Sequence, residues 1–575
     1  MSEDSVTEDT KTASPKFWLA IVGLALILAG GFLAHAIRTS GGTAVSDVRF
    51  EGAEGVQMSA LLYVPAGANA ETPAPGILAV HGYINSREMQ DGFAIEFARR
   101  GYVVLSIDQT GHGYSDGPAF SNGFGGPDGL RYLRSLPMVN PDQIGLEGHS
   151  MGGWTILAAA DAMPDAYRSM VLQGSSTGAP FAPEGSPGWP RNLALVFSQY
   201  DEFSQIMWET DRALDAADST KLQAVFGTDK RVVSGQVYGD IEAGTARVLH
   251  QPATTHPGNH ISSTSIGHAV DWFAETLEGG DDLPAGDQIW MWKEIGTGIG
   301  LIGFVMLLLG AFDALVRLPF FAVLRASPVA AIEQRDRRWW RSFAINAAIP
   351  ATLFYPAFIA AFFLLPASAF LPQAVTTQVT LWALATAGVG LLLARFSLPS
   401  LPQQSTDWLR SIALAAATIA AGYAALLLVD QLFQTDFRFW VVAVKLPGPQ
   451  HWLPVAIYLI PITLAFMVTL RAITGSLSVR GDTALKRYAA AILTLTAVFI
   501  ALLVLIYGIF FATGTLITAF DPLSTVIALQ FVPILTAIGI IAIFTWHRTN
   551  SHRPGALIVG MLVTLYVVSG TATQV

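Results

Sequence analysis

Cysteine is absent from the 575 residues, which excludes disulfides, a thiolate nucleophile and cysteine-based metal sites while leaving the redox compartment open. Charge is also scarce. Only 13% of residues are Asp, Glu, Lys or Arg and 52% are apolar, whereas an ordinary soluble chain is about 25% charged. Acidic residues are rare beyond residue 300, where apolar runs alternate with short loops carrying Arg and Lys. The formal charge of -10 therefore describes the first half and points away from a nucleic-acid partner. P-loop, H-E-x-x-H and EF-hand patterns are missing too, so no metal and no cofactor is expected.

What is present begins with a polar tail over residues 1–16 and an apolar run over 17–37, bounded by Lys16 and Arg38. A run of that length can cross a bilayer, which takes roughly 20 residues. A cleaved signal peptide has a shorter core of about 7 to 15 residues, so an uncleaved anchor is expected. Residues 45–283 read as a soluble α/β domain, because β-rich runs such as GILAV, YVVLSID, QIGLEG, SMVLQG and LALVFSQ alternate with helix-like stretches. That alternation predicts a mostly parallel sheet with helices on both faces.

After the acidic linker EGGDDLPAGD, residues 289–575 hold eight more apolar runs, which predicts an all-α polytopic membrane domain. Positively charged loops mark the cytoplasmic side. Counting Lys11 and Lys16, one set of loops holds 16 basic residues, and the short loops of the other set hold 2, Arg438 and Lys445. The expected arrangement is a multi-pass protein of the cell membrane, with a cytoplasmic N-terminus and with the α/β domain and the C-terminus outside. The span interiors hold almost no ionisable residues of the kind that mark a transport path.

The chemistry centres on GLEGHSMGGW, residues 145–154. Gly148, Ser150 and Gly152 satisfy G-x-S-x-G, in which a serine sits on a sharp turn between a strand and a helix and side chains at the flanking positions would strike backbone. Gln143 to Glu147 reads as the strand, and Trp154 to Ala162 as the helix.

The region from 45 to about 277 resembles the α/β-hydrolase superfamily. GILAVHGY is similar to that family's oxyanion-hole strand and His-Gly turn, SIDQTGHGYSDG to its D-x-x-G-x-G-x-S loop, and PDQIGLEGHSMGG to its nucleophile elbow, in the family's order. The dienelactone-hydrolase-like and acyl-esterase or peptidase-like branches are the nearest. The resemblance implies Ser150 as nucleophile, Asp201 after LALVFSQ as the triad acid with Glu202 as the alternative, and a histidine after the last strand. His256 and His260 both qualify for that place; spacing favours His256. The implied oxyanion donors are the backbone N–H groups of Tyr83 and Met151. His81, His112 and His149 are expected to fix loops, as are Asp108 and Asp116.

The implied function is a membrane-embedded serine hydrolase acting on an acyl ester, thioester or amide; a bilayer-held domain favours lipid-linked or envelope-derived substrates. A peptidase with the same triad, and a transporter or receptor carrying a non-catalytic hydrolase-like domain, are the alternative readings. The oligomeric state has no signature in the sequence.

Overall fold

The computed structural model describes residues 16–328, 332–398, 403–474 and 479–575. All but the last residue of the polar tail, Lys11 included, lies outside the described residues.

A single sheet organises the first half. Its strands are β1 (Ala44–Glu51), β2 (Gln57–Val64), β3 (Ala74–Val80), β4 (Val103–Ile107), β5 (Val139–His149), β6 (Ser169–Gln173), β7 (Leu193–Val196), β8 (Val237–Tyr238) and β9 (Arg247–His250). They lie in the order β1-β2-β4-β3-β5-β6-β7-β9-β8. The inner pairings, from β4–β3 through β7–β9, are parallel, and antiparallel strands close both edges. The expected mostly parallel sheet is what the chain forms. Strands β4, β6 and β7 are buried throughout and β3 all but its first residue, the condition that makes parallel strands read as continuous apolar runs rather than alternating ones.

Helices cover both faces. The first face carries α3 (Gly126–Ser135) and α4 (Met151–Ala162), whose Leu130, Leu133, Ile156 and Leu157 join Leu78, Leu105 and Leu146 of the sheet in one core. The second carries α2 (Asp91–Ala98) and α7 (Ser263–Thr276), with Phe93, Phe97, Ile266 and Phe273 against Ile77, Val104 and Val171. Trp272 and Phe273 pack α7 onto the sheet, and the Trp272 indole also donates to the Asn192 carbonyl at 2.9 Å. Between β7 and β9 lie the short helices α5 (Ser204–Trp208) and α6 (Thr220–Phe226), a 3-10 helix over Ala213–Asp218 and the edge strand β8.

The second half is helical: α8 (Trp290–Leu315), α9 (Arg337–Leu364), α10 (Ala374–Leu393), α11 (Trp408–Phe433), α12 (Trp452–Ile473), α13 (Ala484–Thr513), α14 (Pro522–Thr549) and α15 (Arg553–Gly570). With α1 (Trp18–Arg38), which lies along α8, they make nine helices among the described residues long and apolar enough to cross a membrane. Small residues let α1 and α8 approach closely. A Cβ placed on Gly23 would come within 2.6 Å of the Leu307 backbone nitrogen, and one on Gly303 within 2.6 Å of the Gly23 carbonyl oxygen. Close backbone approach through glycine is how apolar helices gain packing where lipid offers no hydrophobic drive.

Loops at one end of these helices meet each other, as in Ala326 to Arg548 and Gln404 to Asn550. Loops at the other end reach the sheet domain. Among these, the hairpin β10 (Phe437–Phe439) and β11 (Val442–Val444) between α11 and α12 and the segment after α15 matter most for the site.

Candidate active site

β5 ends at His149 and α4 begins at Met151, leaving Ser150 alone on the turn with φ 55° and ψ −121°. Positive φ in a residue with a side chain costs of order 1–3 kcal/mol and persists only where its surroundings enforce it. Here they do. The Ser150 amide donates to the Gln173 carbonyl at 2.8 Å, and the Ser175 hydroxyl donates to the Ser150 carbonyl at 2.8 Å. The glycines are required by contact: a Cβ on Gly148 would lie 2.7 Å from the Gly153 nitrogen, and one on Gly152 would lie 2.6 Å from the His81 carbonyl oxygen.

The carboxylate arrives from the end of β7. Asp201 is buried; its oxygens lie 2.9 and 3.1 Å from His256 Nδ1, and it also accepts the Phe203 amide at 2.9 Å. Burial pushes its carboxyl up from the ordinary range, while the Phe203 amide opposes that shift. His256 follows β9 and is 4% exposed. Burial lowers its imidazole to about 3, so the resting ring is neutral, with the lone pair on Nε2 when Nδ1–H faces Asp201. His256 Nε2 and Ser150 Oγ take no hydrogen bond among the described residues, from each other included.

Glu202 has a different position. It accepts the His256 backbone N–H at 2.8 Å and the Tyr507 hydroxyl of α13 at 2.9 Å, so it holds the histidine loop rather than the ring. Burial raises its carboxyl to about 8. The His260 ring is set apart from Asp201. It stacks near His149, with centroids 4.0 Å apart, and meets Phe93 edge-on, and both its nitrogens are buried without a partner.

The turn after β3 faces the elbow, since a Cβ on Gly82 would come within 3.1 Å of both Ser150 Cβ and His149 Nδ1. The amides of Tyr83 and Met151 donate to nothing among the described residues. Met151 is the first residue of α4, where an unpaired N–H is intrinsic to the helix start. The remaining histidines and Asp108 brace loops. His81 accepts the Gln109 amide at 3.2 Å, His112 Nδ1 lies 3.0 Å from the Thr110 carbonyl, and His149 Nε2 lies 2.9 Å from the His256 carbonyl. Asp108 accepts the amides of Arg87 and Tyr114 at 2.9 and 3.0 Å.

The second half covers this site, an arrangement with no counterpart in the sequence reading. Gln574 donates to the Tyr83 hydroxyl at 3.2 Å, the Trp440 indole to the Pro257 carbonyl at 2.8 Å, and Gln450 to the Gly113 carbonyl at 2.7 Å. Thr573 pairs through its backbone with Gly111 and Ala119. Arg438 is buried and reaches Asp436 at 2.6 Å and Glu88 at 3.4 Å.

Comparison with known proteins places the sheet. Residues 75–207 match a family model described as the alpha/beta hydrolase fold. The sheet domain has the α/β-hydrolase fold. The hydrolase domain is similar to the quorum-quenching protein AidA of Acinetobacter baumannii, 32% identical over 121 residues that make up 20% of this chain and 38% of that protein. It is also similar to the thiohydrolase aneE of Aspergillus aculeatus, 29% identical over 125 residues, 20% of this chain and 37% of that protein. The chain thus spans less than two fifths of the length of these curated relatives. Among solved structures, a dienelactone hydrolase from Anabaena variabilis is 20% identical, with a TM-score of 0.27 over 41% of this chain and 99% of that one.

Proposed function

We propose that the protein is a membrane-embedded serine hydrolase that cleaves an acyl ester, thioester or amide through an acyl-enzyme, with its hydrolase domain outside the cell. The observation that carries this reading is the Asp201–His256 pair at 2.9 Å in the same domain as a serine held at positive φ on a strand-to-helix turn. The name of one relative, a thiohydrolase, agrees with hydrolysis of a thioester.

A serine hydroxyl is a weak nucleophile at neutral pH. In the proposed cycle His256 Nε2 takes the Ser150 proton as Oγ attacks the carbonyl, and Asp201 steadies the imidazolium that forms. The free amides of Tyr83 and Met151 receive the oxyanion, where one such donor is worth about 3–4 kcal/mol of barrier. His256 then protonates the leaving group, and water repeats the sequence on the acyl-enzyme. The orientation rests on the loop charges, 16 basic residues in one set and 2 in the short loops of the other, and on the hydrolase domain meeting the poorly charged set.

Purified full-length protein is tested against matched ester, thioester and peptide panels beside Ser150→Ala. The expected result is turnover of an acyl substrate by the wild type and a fall of at least about 10⁴-fold in the variant. Equal rates would refute the proposal, and exclusive peptide cleavage would move it to the peptidase class.

A further inference from the structure

Two cavities lie on the helical side of the molecule, the first of them beside the turn that follows Tyr83. The first, of about 600 Å³, is lined on the hydrolase side by Ile84, Asn85 and Ser86, immediately after the Tyr83 amide, and on the helical side by the β10–β11 hairpin and residues of α10, α14 and α15. The second, of about 990 Å³, lies deeper among α9, α10, α12 and α14. Val379, Phe531 and Ile534 line both, so the two spaces adjoin across a shared apolar wall.

Their linings differ along this route. The deeper cavity has no charged lining residue, and its polar ones are Asn346, Thr386 and Thr469 amid aliphatic and aromatic side chains. Such a space suits hydrocarbon, since an apolar cavity does not hold water well. The charged lining residues of the shallower cavity are Arg438 and Lys445, both cations. Arg438 is matched by Asp436 and Glu88. Lys445 is 5% exposed, and its ammonium makes no hydrogen bond or close ion pair among the described residues. Its nearest compensating charges, Glu88 and Asp108, act at longer range. A buried ammonium with no anion in hydrogen-bond contact is costly, and this one lines the shallower cavity.

We infer that the two cavities form one chamber for a long-chain amphiphile, with the anionic group at Lys445 and the hydrocarbon chain in the apolar cavity among α9, α10, α12 and α14. The inference rests on the proposed hydrolase function for the site's chemistry, and it narrows the substrate class to long-chain acyl compounds, whose hydrolysis releases a fatty carboxylate. A carboxylate and a phosphate ester share the recognising chemistry, an anion on a hydrocarbon chain.

The test uses full-length Ser150→Ala protein, which cannot turn substrate over, and palmitate bearing a diazirine near its chain end. Photolabelling is mapped by mass spectrometry with palmitate, lysophosphatidate or palmityl alcohol as competitor. The expected adducts fall between residues 379 and 391 or between 531 and 538 and are displaced at least tenfold by an anionic competitor but not by the alcohol. The better anionic competitor identifies the head group. Lys445→Gln should lose at least fivefold of the displaceable labelling and Lys445→Arg should keep most of it, while Ala387→Phe, which fills the apolar cavity, should remove it with Lys445 intact. Labelling confined to lipid-facing positions, displacement by the alcohol as strong as by palmitate, or equal labelling of wild-type chamber and Lys445→Gln would overturn the inference. Because labelling does not depend on Ser150, the chamber and the hydrolase reading can fail separately.

Discussion

At the scale of single residues, position in the chain and position in space part company between neighbours. Asp201 and Glu202 are adjacent and both buried, yet one carboxylate meets the His256 ring and the other its backbone N–H. A sequence offers both as acids; the turn after β7 separates them. His256 and His260 are likewise four residues apart, and only the ring of His256 reaches Asp201. The proposed roles give unequal penalties. Asp201→Asn should lower kcat by about 10⁴-fold by favouring the wrong tautomer, whereas Glu202→Gln keeps an acceptor for the His256 amide and should cost far less. Steady-state rates of the two variants check this, and a larger loss in Glu202→Gln would reverse the assignment. The pH profile carries a sign as well. His256 must be neutral to accept the serine proton, and burial lowers its pKa below the ordinary 6.5. The acid limb of kcat/KM should therefore fall below pH 6.5, with activity flat from there to pH 8; a midpoint above 6.5 would contradict a buried neutral base.

At the scale of elements, the strand-turn-helix around Ser150 is legible because its requirements are local. Two glycines flank a residue that cannot be glycine, and each faces backbone that leaves no room for a Cβ. Gly152→Ala should cost about 1–3 kcal/mol through overpacking and displace the turn, seen as a lower melting temperature together with slower acylation. Unchanged stability would mean that the elbow relaxes at no cost. The central strands are equally legible, since strands buried on both faces become apolar runs. The covering of the site is not. Trp440, Tyr507 and Gln574 reach it from 183, 305 and 491 residues away in the chain, and no periodicity carries such contacts.

At the scale of the whole molecule, the two halves meet through the residues that broke a pattern. Arg438 and Lys445 are the basic residues in the short loops where the charge rule expects few, and both are buried against the hydrolase domain or the cavity beside it. The exceptions were the signal of an interface. Arg438→Met should destabilise the folded protein by about 3–5 kcal/mol by stranding Asp436, with hydrogen exchange rising first in residues 84–90 and 436–445; protection equal to the wild type would show that the ion pairs do not hold the halves together. The absence of cysteine makes topology directly testable. Asp229→Cys on the hydrolase domain and Arg338→Cys at the start of α9 are both exposed positions. An impermeant maleimide should label the first in intact cells and the second only after permeabilisation, and the reverse would invert the proposed orientation.

The central claim is that Ser150 is a nucleophile activated within this fold. Its most direct measurement is the site of covalent attachment of a fluorophosphonate to the full-length protein, located by mass spectrometry. The account predicts one stoichiometric adduct, on Ser150, formed rapidly in the wild type and at least about 10³ times more slowly in His256→Ala. An adduct elsewhere, or an unmodified Ser150 in protein that is folded and accessible to the probe, would contradict it.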